Sequence, residues 1–436
     1  MPAQELDRRS LVLLGLPALG LTLGVTVVST YLPVALGVAS SPVVIGLLLG
    51  LEGVFALLLP PLVGAWSDRH ARRVGDRLRL CLLAGGLMAA ALLALAASTS
   101  LAVVAVALAL LYTGYFTYLA PYWALFPTLV PPAQAGRAGA AEGSWRLLGS
   151  AAALIGGGLL YALGGWVPFV ATAAVLAVSV LVFDRGMAAR VQDVPLQGAG
   201  PAAEAFAGRM VGLLRDASVR RVLVANALWN AALSVIRVFV VLYVVEGLGG
   251  STELVSTVVF PLAALGFVVA PFAGTLADRV GLLPVVTTGL VLYAAGTAIP
   301  LVTAGPAALA VVPVVAAGAA TVMTLPLALL VRLLPPSDHG VASGAFGASR
   351  GLGSALGPLL AGAAIVVLRP AFPGTDGYAA MWLVTSLLLL ASVPLVLRLR
   401  ADARLRTPGP AGGGGAGAHG EAPAAGSDGG LDEPAR

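Results

Sequence analysis

The chain has 436 residues, 59% of them hydrophobic and only 10% charged, with a mean hydropathy of +0.97. Soluble domains carry about 25% charged residues, so water is excluded as the solvent for most of this chain. All 25 basic residues are arginine, and the net charge of +5 is read as membrane orientation rather than nucleic-acid binding; the single Cys81 excludes an internal disulfide.

Apolar stretches long enough to cross a bilayer as helices recur at 11–31, 42–63, 79–97, 101–129, 140–163, 166–183, 222–245, 254–274, 283–303, 307–331, 345–367 and 379–397, which makes twelve. The alternating ten-residue segments of a membrane barrel are missing, so the fold class expected is an all-α membrane protein. The first stretch exceeds the usual signal-peptide core of about 7–15 residues and is kept as a span, with Thr22, Thr26 and Ser29 as a weak polar stripe. The second carries Glu52 near its middle, with no charged neighbour in the span. An ionisable residue there costs about 2.5–3.5 kcal/mol on insertion scales. It is therefore a candidate proton-coupling group, with a structural carboxylic acid as the alternative.

The second span runs into "PLVGAWSDRHARRVGDR", where Arg69, Arg72, Arg73 and Arg77 crowd a short break. The fourth places Tyr112, Tyr115, Tyr118 and Tyr122 at spacings of three, three and four, a face suited to stacking on a ring or to interhelical packing. At the start of the fifth, Glu142 stands four residues from Arg146, close enough to pair locally. The break 184–221 contains "GRMVGLLRDASVRR", read as a surface amphipathic helix or a plain tether. The seventh span carries Asn226, Asn230, Ser234 and Arg237 at helical spacing, one polar face expected to line a cavity or to bond to a neighbouring helix. Pro17, Pro261, Pro326 and Pro358 fall inside spans and are expected to kink them. From residue 407 onward the composition is that of a disordered tail.

Arginine concentrates in the breaks after the even-numbered spans and at both ends, so both termini are expected in the cytoplasm. The two halves repeat each other. "LVPPAQAGRAGAAEGSWRLLGS" (129–150) aligns without gaps on "LLPPSDHGVASGAFGASRGLGS" (333–354), and "PLVGAWSDR" (61–69) on "PFAGTLADR" (271–279). The expected division is a first bundle at 1–183, a cytoplasmic loop at 184–221, a second bundle at 222–400 and a cytoplasmic tail at 401–436. Two repeated six-helix bundles are the organisation of a transporter whose site lies between them.

The repeated G-x-x-x-D-R pattern resembles the signature loop of the major facilitator superfamily. Gly64, Ser67, Asp68, Arg69, Arg73, Gly75 and Arg77 are most similar to the sucrose–proton and related glycoside symporters, while Asp76, Leu78 and Arg79 depart from that branch. The resemblance implies twelve helices in two pseudo-symmetric bundles, alternating access, and a small solute, a sugar or glycoside first, carried with a proton or sodium ion. The branch places an acid in its fourth helix; here that span has none, and Tyr112 stands near the place. The resemblance also implies a cytoplasmic gate: Gly64, Asp68, Arg69 and Arg73 against the start of the eleventh span with Arg350, and by symmetry Gly274, Asp278 and Arg279 against Arg146. Small residues at Gly139, Ala140, Gly143, Ser343, Gly344 and Gly347 would let those helices approach. Substrate contacts are expected from Arg237, Asn230, Asn226, Tyr112, Tyr115 and Tyr122. No cofactor, metal or enzymatic activity is expected, and a monomer in the cytoplasmic membrane is. Proton-coupled efflux and a non-transporting membrane sensor are the alternative readings.

Overall fold

A computed structural model describes residues 7–405, apart from 38–39, 132–133, 192, 197–211, 262–263, 265–267, 269, 304–309 and 336–338. Its long helices are α1 (Arg8–Gly37), α2 (Pro42–His70), α3 (Val74–Ala97), α4 (Leu101–Leu129), α5 (Ala135–Leu163), α6 (Val167–Val191) and α7 (Ala217–Gly247). They continue with α8 (Ala270–Val280), α9 (Leu282–Leu301), α10 (Val312–Leu333), α11 (His339–Val367) and α12 (Ala380–Leu399). Eleven helices among the described residues are long and apolar enough to cross a membrane. The remaining expected span, 254–274, falls partly outside the described residues; Thr252–Leu254, Val255–Val259 and α8 are what is seen of it.

Helix is the form these runs must take, because lipid offers the backbone no hydrogen-bond partner. Polar caps set where they start. Asp7 accepts from the Ser10 amide at 3.0 Å, Ser41 caps α2, and Asp216 accepts from Ser218 and Val219 at 2.8 and 3.3 Å. Pro17 follows a break at Leu16, and Pro326 follows one at Leu325, as the missing proline N–H requires. The helices overrun the expected spans at the arginine-rich breaks. α2 continues to His70, so Gly64, Asp68 and Arg69 stand on its last turns rather than in a loop, and Gly274, Asp278 and Arg279 stand likewise on α8. α6 runs on to Val191 and α7 begins at Ala217, which shortens the central break from both sides. The start of that break is tied to the turn between α2 and α3. Val74 N–H donates to Val194 O at 3.0 Å, Leu196 N–H to Arg72 O at 2.9 Å, and Arg73 pairs with Asp193. Most of the expected surface helix, and the tail from residue 406, lie outside the described residues.

Within the first six helices, α3 packs on α4 and α6, and α1 on α5 and α6; within the last six, α7 packs on α11 and α12, and α9 on α10 and α12. The most extensive packing of all joins the two sets, α2 against α11. It is made by glycines. A Cβ at Gly46 would sit 2.3 Å from Pro358 O, one at Gly53 2.2 Å from both Ala355 N and Gly351 O, and one at Gly362 2.3 Å from Pro42 O. Such backbone-on-backbone approach is how helices associate where no hydrophobic gradient drives them together.

The seam is one-sided. It covers the start of α2 and the end of α11, whereas Gly64 on α2 and Gly347 on α11 have no atom within 4 Å of where a Cβ would stand. Gly136, Gly139 and Gly143 at the start of α5 are equally open, so no neighbour approaches these glycines or Gly347 closely among the described residues in this conformation. Buried side chains agree. One core cluster fuses the first half with the far ends of α7, α11 and α12, while a second, holding Val219 to Trp229 and Val341 to Ala345, belongs to the last half alone. The halves meet at one end and part at the end that carries Asp68.

Candidate functional site

Glu52 and Arg237 meet where the seam ends. Arg237 Nη2 donates to Glu52 Oε2 at 2.8 Å, an ion pair between α2 and α7, with the carboxylate 11% exposed and the guanidinium 33%. α2 aims Glu52 because the adjacent Gly53 is pressed on Ala355 and Gly351, which fixes the rotation of the helix. α7 is fixed by Gly353 and Gly357 of α11, whose missing side chains make room for Ala227, Ala231 and Ser234.

Two tyrosines of α4 stand beside the pair. Tyr112 lies within electrostatic reach of both Glu52 and Arg237, and its ring tilts against Phe55 at 6.3 Å. Its hydroxyl is fully buried and has no hydrogen-bond partner among the described residues, and the same holds for Arg237 Nε. Tyr115 is half-buried and within the field of Arg350, Glu52, Arg146 and Arg237 at once. A buried polar atom without a partner costs about 1–3 kcal/mol, and two such atoms flank this one ion pair.

Other expected members go elsewhere. Asn226 donates to Ser349 Oγ at 2.7 Å and to Phe346 O at 3.4 Å, and Asn230 donates back to Asn226 O and Oδ1 at 2.8 and 3.0 Å. Asn226 fastens α7 to α11 and Asn230 braces it from within α7, so neither amide is free beside Arg237: the four positions share one face of the helix, which meets α11 at Asn226 and α2 at Arg237. Tyr122 donates to Leu14 O at 2.8 Å and packs edge-on to Phe183. It is an interhelical prop of the first half, not a neighbour of the pair. Tyr118 is buried beside it.

At the parted end, Asp68 Oδ1 accepts from Arg77 Nη2 at 2.7 Å, and Arg77, which is buried, also donates to Ala124 O. Asp68 is therefore tied to its own half and not to Arg350. Arg146 pairs with Glu142, the local alternative. Arg350 is exposed and forms no ion pair among the described residues, and Arg69 is exposed as well. The Asp278 side chain and the surroundings of Gly274 itself are outside what the structure describes. At the closed end, Tyr31 contributes what the sequence did not single out. Its hydroxyl donates to Leu154 O of α5 at 3.0 Å and lies 3.1 Å from Ser256 Oγ of the other half, over Gly157 and Gly158.

The sequence profile of the Major Facilitator Superfamily matches residues 14–282 and 263–426. The chain belongs to this superfamily. Solved structures of superfamily architecture superimpose on nearly its whole length. A bacterial homolog of the human lysosomal transporter spinster, in an inward-facing and occupied conformation, matches with a TM-score of 0.74 at 15% identity, over 94% of this chain and 99% of that one. The nucleoside transporter NupG matches with a TM-score of 0.72 at 16% identity, over 91% and 100%. A peptide transporter in complex with sulfate gives 0.66 at 15%, over 90% and 95%. At such identities the likeness is one of fold. Among curated protein sequences none is a match. Membership of the superfamily accounts for the repeat and for the gap between the halves; the sucrose–proton branch finds no support in these likenesses.

Proposed function

We propose that this superfamily member is a secondary transporter that moves a small organic solute across the cytoplasmic membrane by alternating access, as a monomer, driven by a proton or sodium gradient. The observation that carries the reading is the Glu52–Arg237 pair. It joins the two halves at the head of the gap between them, beside a buried phenol whose hydroxyl has no partner among the described residues. An ion pair so placed couples chemistry to movement. A proton on Glu52 removes its hold on Arg237, and one bond between the halves goes with it.

With the termini in the cytoplasm, the Asp68 end is the cytoplasmic one, and the conformation is inward-facing. Residues 1–183 and 222–400 then rock as two bodies about the seam of α2 and α11. When the cytoplasmic end closes, Asp68 leaves Arg77 for the start of α11 and Arg350, and Asp278 approaches the start of α5 near Arg146; Gly64, Gly274, Arg69, Arg73 and Arg279 shape the same gate. A carboxylate at a helix start is stabilised by about 0.3–1 kcal/mol when exposed, enough to bias such an equilibrium without freezing it. Sugar or glycoside as the substrate class is supported by the likeness of residues 61–77 to the glycoside symporters, and by Tyr112 and Tyr115 beside the pair.

Reconstitution tests the reading. Proteoliposomes are loaded with sugars, glycosides, nucleosides and organic acids in turn, with and without a pH or sodium gradient. Gradient-driven accumulation of one class, reduced to exchange alone in Glu52→Gln, is the expected result. Absence of flux for every class, from protein that is inserted and folded, would remove the transporter reading.

A further inference from the structure

The charges around the gap are unbalanced. Glu52 faces Arg237 on α7, and Tyr115 beside them also lies within the field of Arg350 on α11 and Arg146 on α5. Glu142 neutralises Arg146, and Glu52 neutralises Arg237. Arg350 is left over, exposed and unpaired among the described residues, and Asp68, an acid at the same end, is engaged by Arg77. Among these groups one positive charge is in excess. Low-dielectric walls concentrate the field of such a charge and draw in solutes of opposite sign. Arg237 also keeps a buried Nε–H with no acceptor, and Tyr112 a buried O–H with none. Each can donate to a bound oxygen, and a carboxylate presents two such oxygens to one guanidinium.

We infer that the solute is a small organic carboxylate, sugar acids included, bound by Arg237 and Tyr112 with Arg350 as the attracting charge, and that it displaces Glu52 from Arg237. The inference rests on the transporter reading and, within it, sets acids in place of the neutral sugars and glycosides. Charge balance sets the rest. With Glu52 ionised, two like-charged carboxylates would be held against one guanidinium while Arg350 stays exposed and apart, and such close like charges disfavour ionisation of both. With a proton on Glu52 Oε2, drawn from the aqueous side through which the solute enters, the site holds Arg237, one carboxylate and one neutral acid. Solute and proton thus load together and leave together. Each carboxylate transported carries one proton, and the cycle moves no net charge.

Matched pairs of probes separate charge from shape: glucuronate against glucose, lactate against lactamide, and benzoate against benzamide. Thermal shift of the purified full-length chain in detergent measures binding at pH 5.5 and 7.5. The expected result is that at least one carboxylate stabilises the chain while its neutral partner does not. Affinity for that carboxylate should fall by up to about tenfold per pH unit as the pH rises, the limit for one linked proton. Arg237→Gln should abolish the preference for charge, Arg237→Lys should keep part of it, and Glu52→Gln should make affinity independent of pH. Should Arg237→Gln not fold, the Lys variant and the wild-type pairs decide. Neutral partners binding as well as carboxylates, no carboxylate binding at all, or carboxylate affinity unmoved in both Arg237 variants would overturn the inference. A carboxylate that binds as expected but never crosses proteoliposomes would leave the site standing and remove the transporter reading instead.

Discussion

Gly53→Ala puts the one-sided seam to a quantitative test. The added Cβ would lie 2.2 Å from Ala355 N and from Gly351 O, both backbone atoms of α11. Ordinary carbon contacts begin near 3.5 Å, so α2 and α11 must part by about 1 Å or the closed end must open. Overpacking of this kind costs about 1–3 kcal/mol, and all of it falls on the conformation in which the seam is closed. The population of that conformation relative to one closed at the Asp68 end should fall roughly 5- to 150-fold. The readout is thiol labelling of a single cysteine at Gly347, which is open in this conformation, in a chain whose buried Cys81 is replaced by alanine. Labelling should drop in Gly53→Ala. Gly86→Ala is the control, because it makes the same glycine-to-alanine change on α3 where no atom lies within 4 Å, and it should leave labelling unchanged. Equal labelling in both variants, with both folded, would show that the seam does not set the conformation.

Three further outcomes follow from particular contacts. Tyr31→Phe removes the hydroxyl that reaches Leu154 O and Ser256 Oγ; at about 1 kcal/mol for one net hydrogen bond it should loosen the same closed end several-fold, read by labelling of a cysteine at Thr252, whose carbonyl meets Gly158 there, and unaltered reactivity would dismiss the contact. Asp68→Asn leaves the buried Arg77 without its carboxylate; it should lower stability by about 1–3 kcal/mol and slow transport, and full flux with an unchanged melting temperature would count against both the pairing and the gate. Outside the membrane, Arg404 donates to Asp216 at 2.9 Å and to Asp402 at 2.7 Å, and chiefly through these hydrogen bonds holds both carboxyls below the usual carboxylate range. Lowered values mean that the folded chain binds fewer protons than the unfolded one. The contribution of the cluster is therefore complete above about pH 4 and lost as the pH falls through the lowered values. These groups are partly exposed, so Arg404→Gln should cost about 0.2–1 kcal/mol at neutral pH and almost nothing in strong acid; melting curves from pH 3 to 7 that run parallel for the two proteins would refute it.

Glu52 and Arg237 show how far single residues could be read. Each stood out alone, because an ionisable group inside an apolar run is expensive wherever it points. That they belong to one pair was not legible across 185 positions. The glycines at 46, 50 and 53 recur at helical spacing, a sign that could have marked the seam, but nothing in the spacing says which helix lies opposite. Asn226 and Asn230 share a stripe with Arg237, yet the helix that this stripe meets changes along α7, from α11 at Asn226 to α2 at Arg237.

Composition and order along the chain were enough for the lipid solvent, the succession of spans, the repeat and the superfamily, since each of these depends on local hydropathy or on residues adjacent in sequence. The tertiary structure alone decided the rotation of each helix, and with it the partner of Glu52, the local tie of Asp68 to Arg77, the structural use of Tyr122, and which end of the molecule is shut. The reason lies in the solvent. In water an amphipathic period tells a helix which face to bury, but here lipid is as apolar as the protein interior, and the direction of a side chain is fixed only when another helix arrives to meet it.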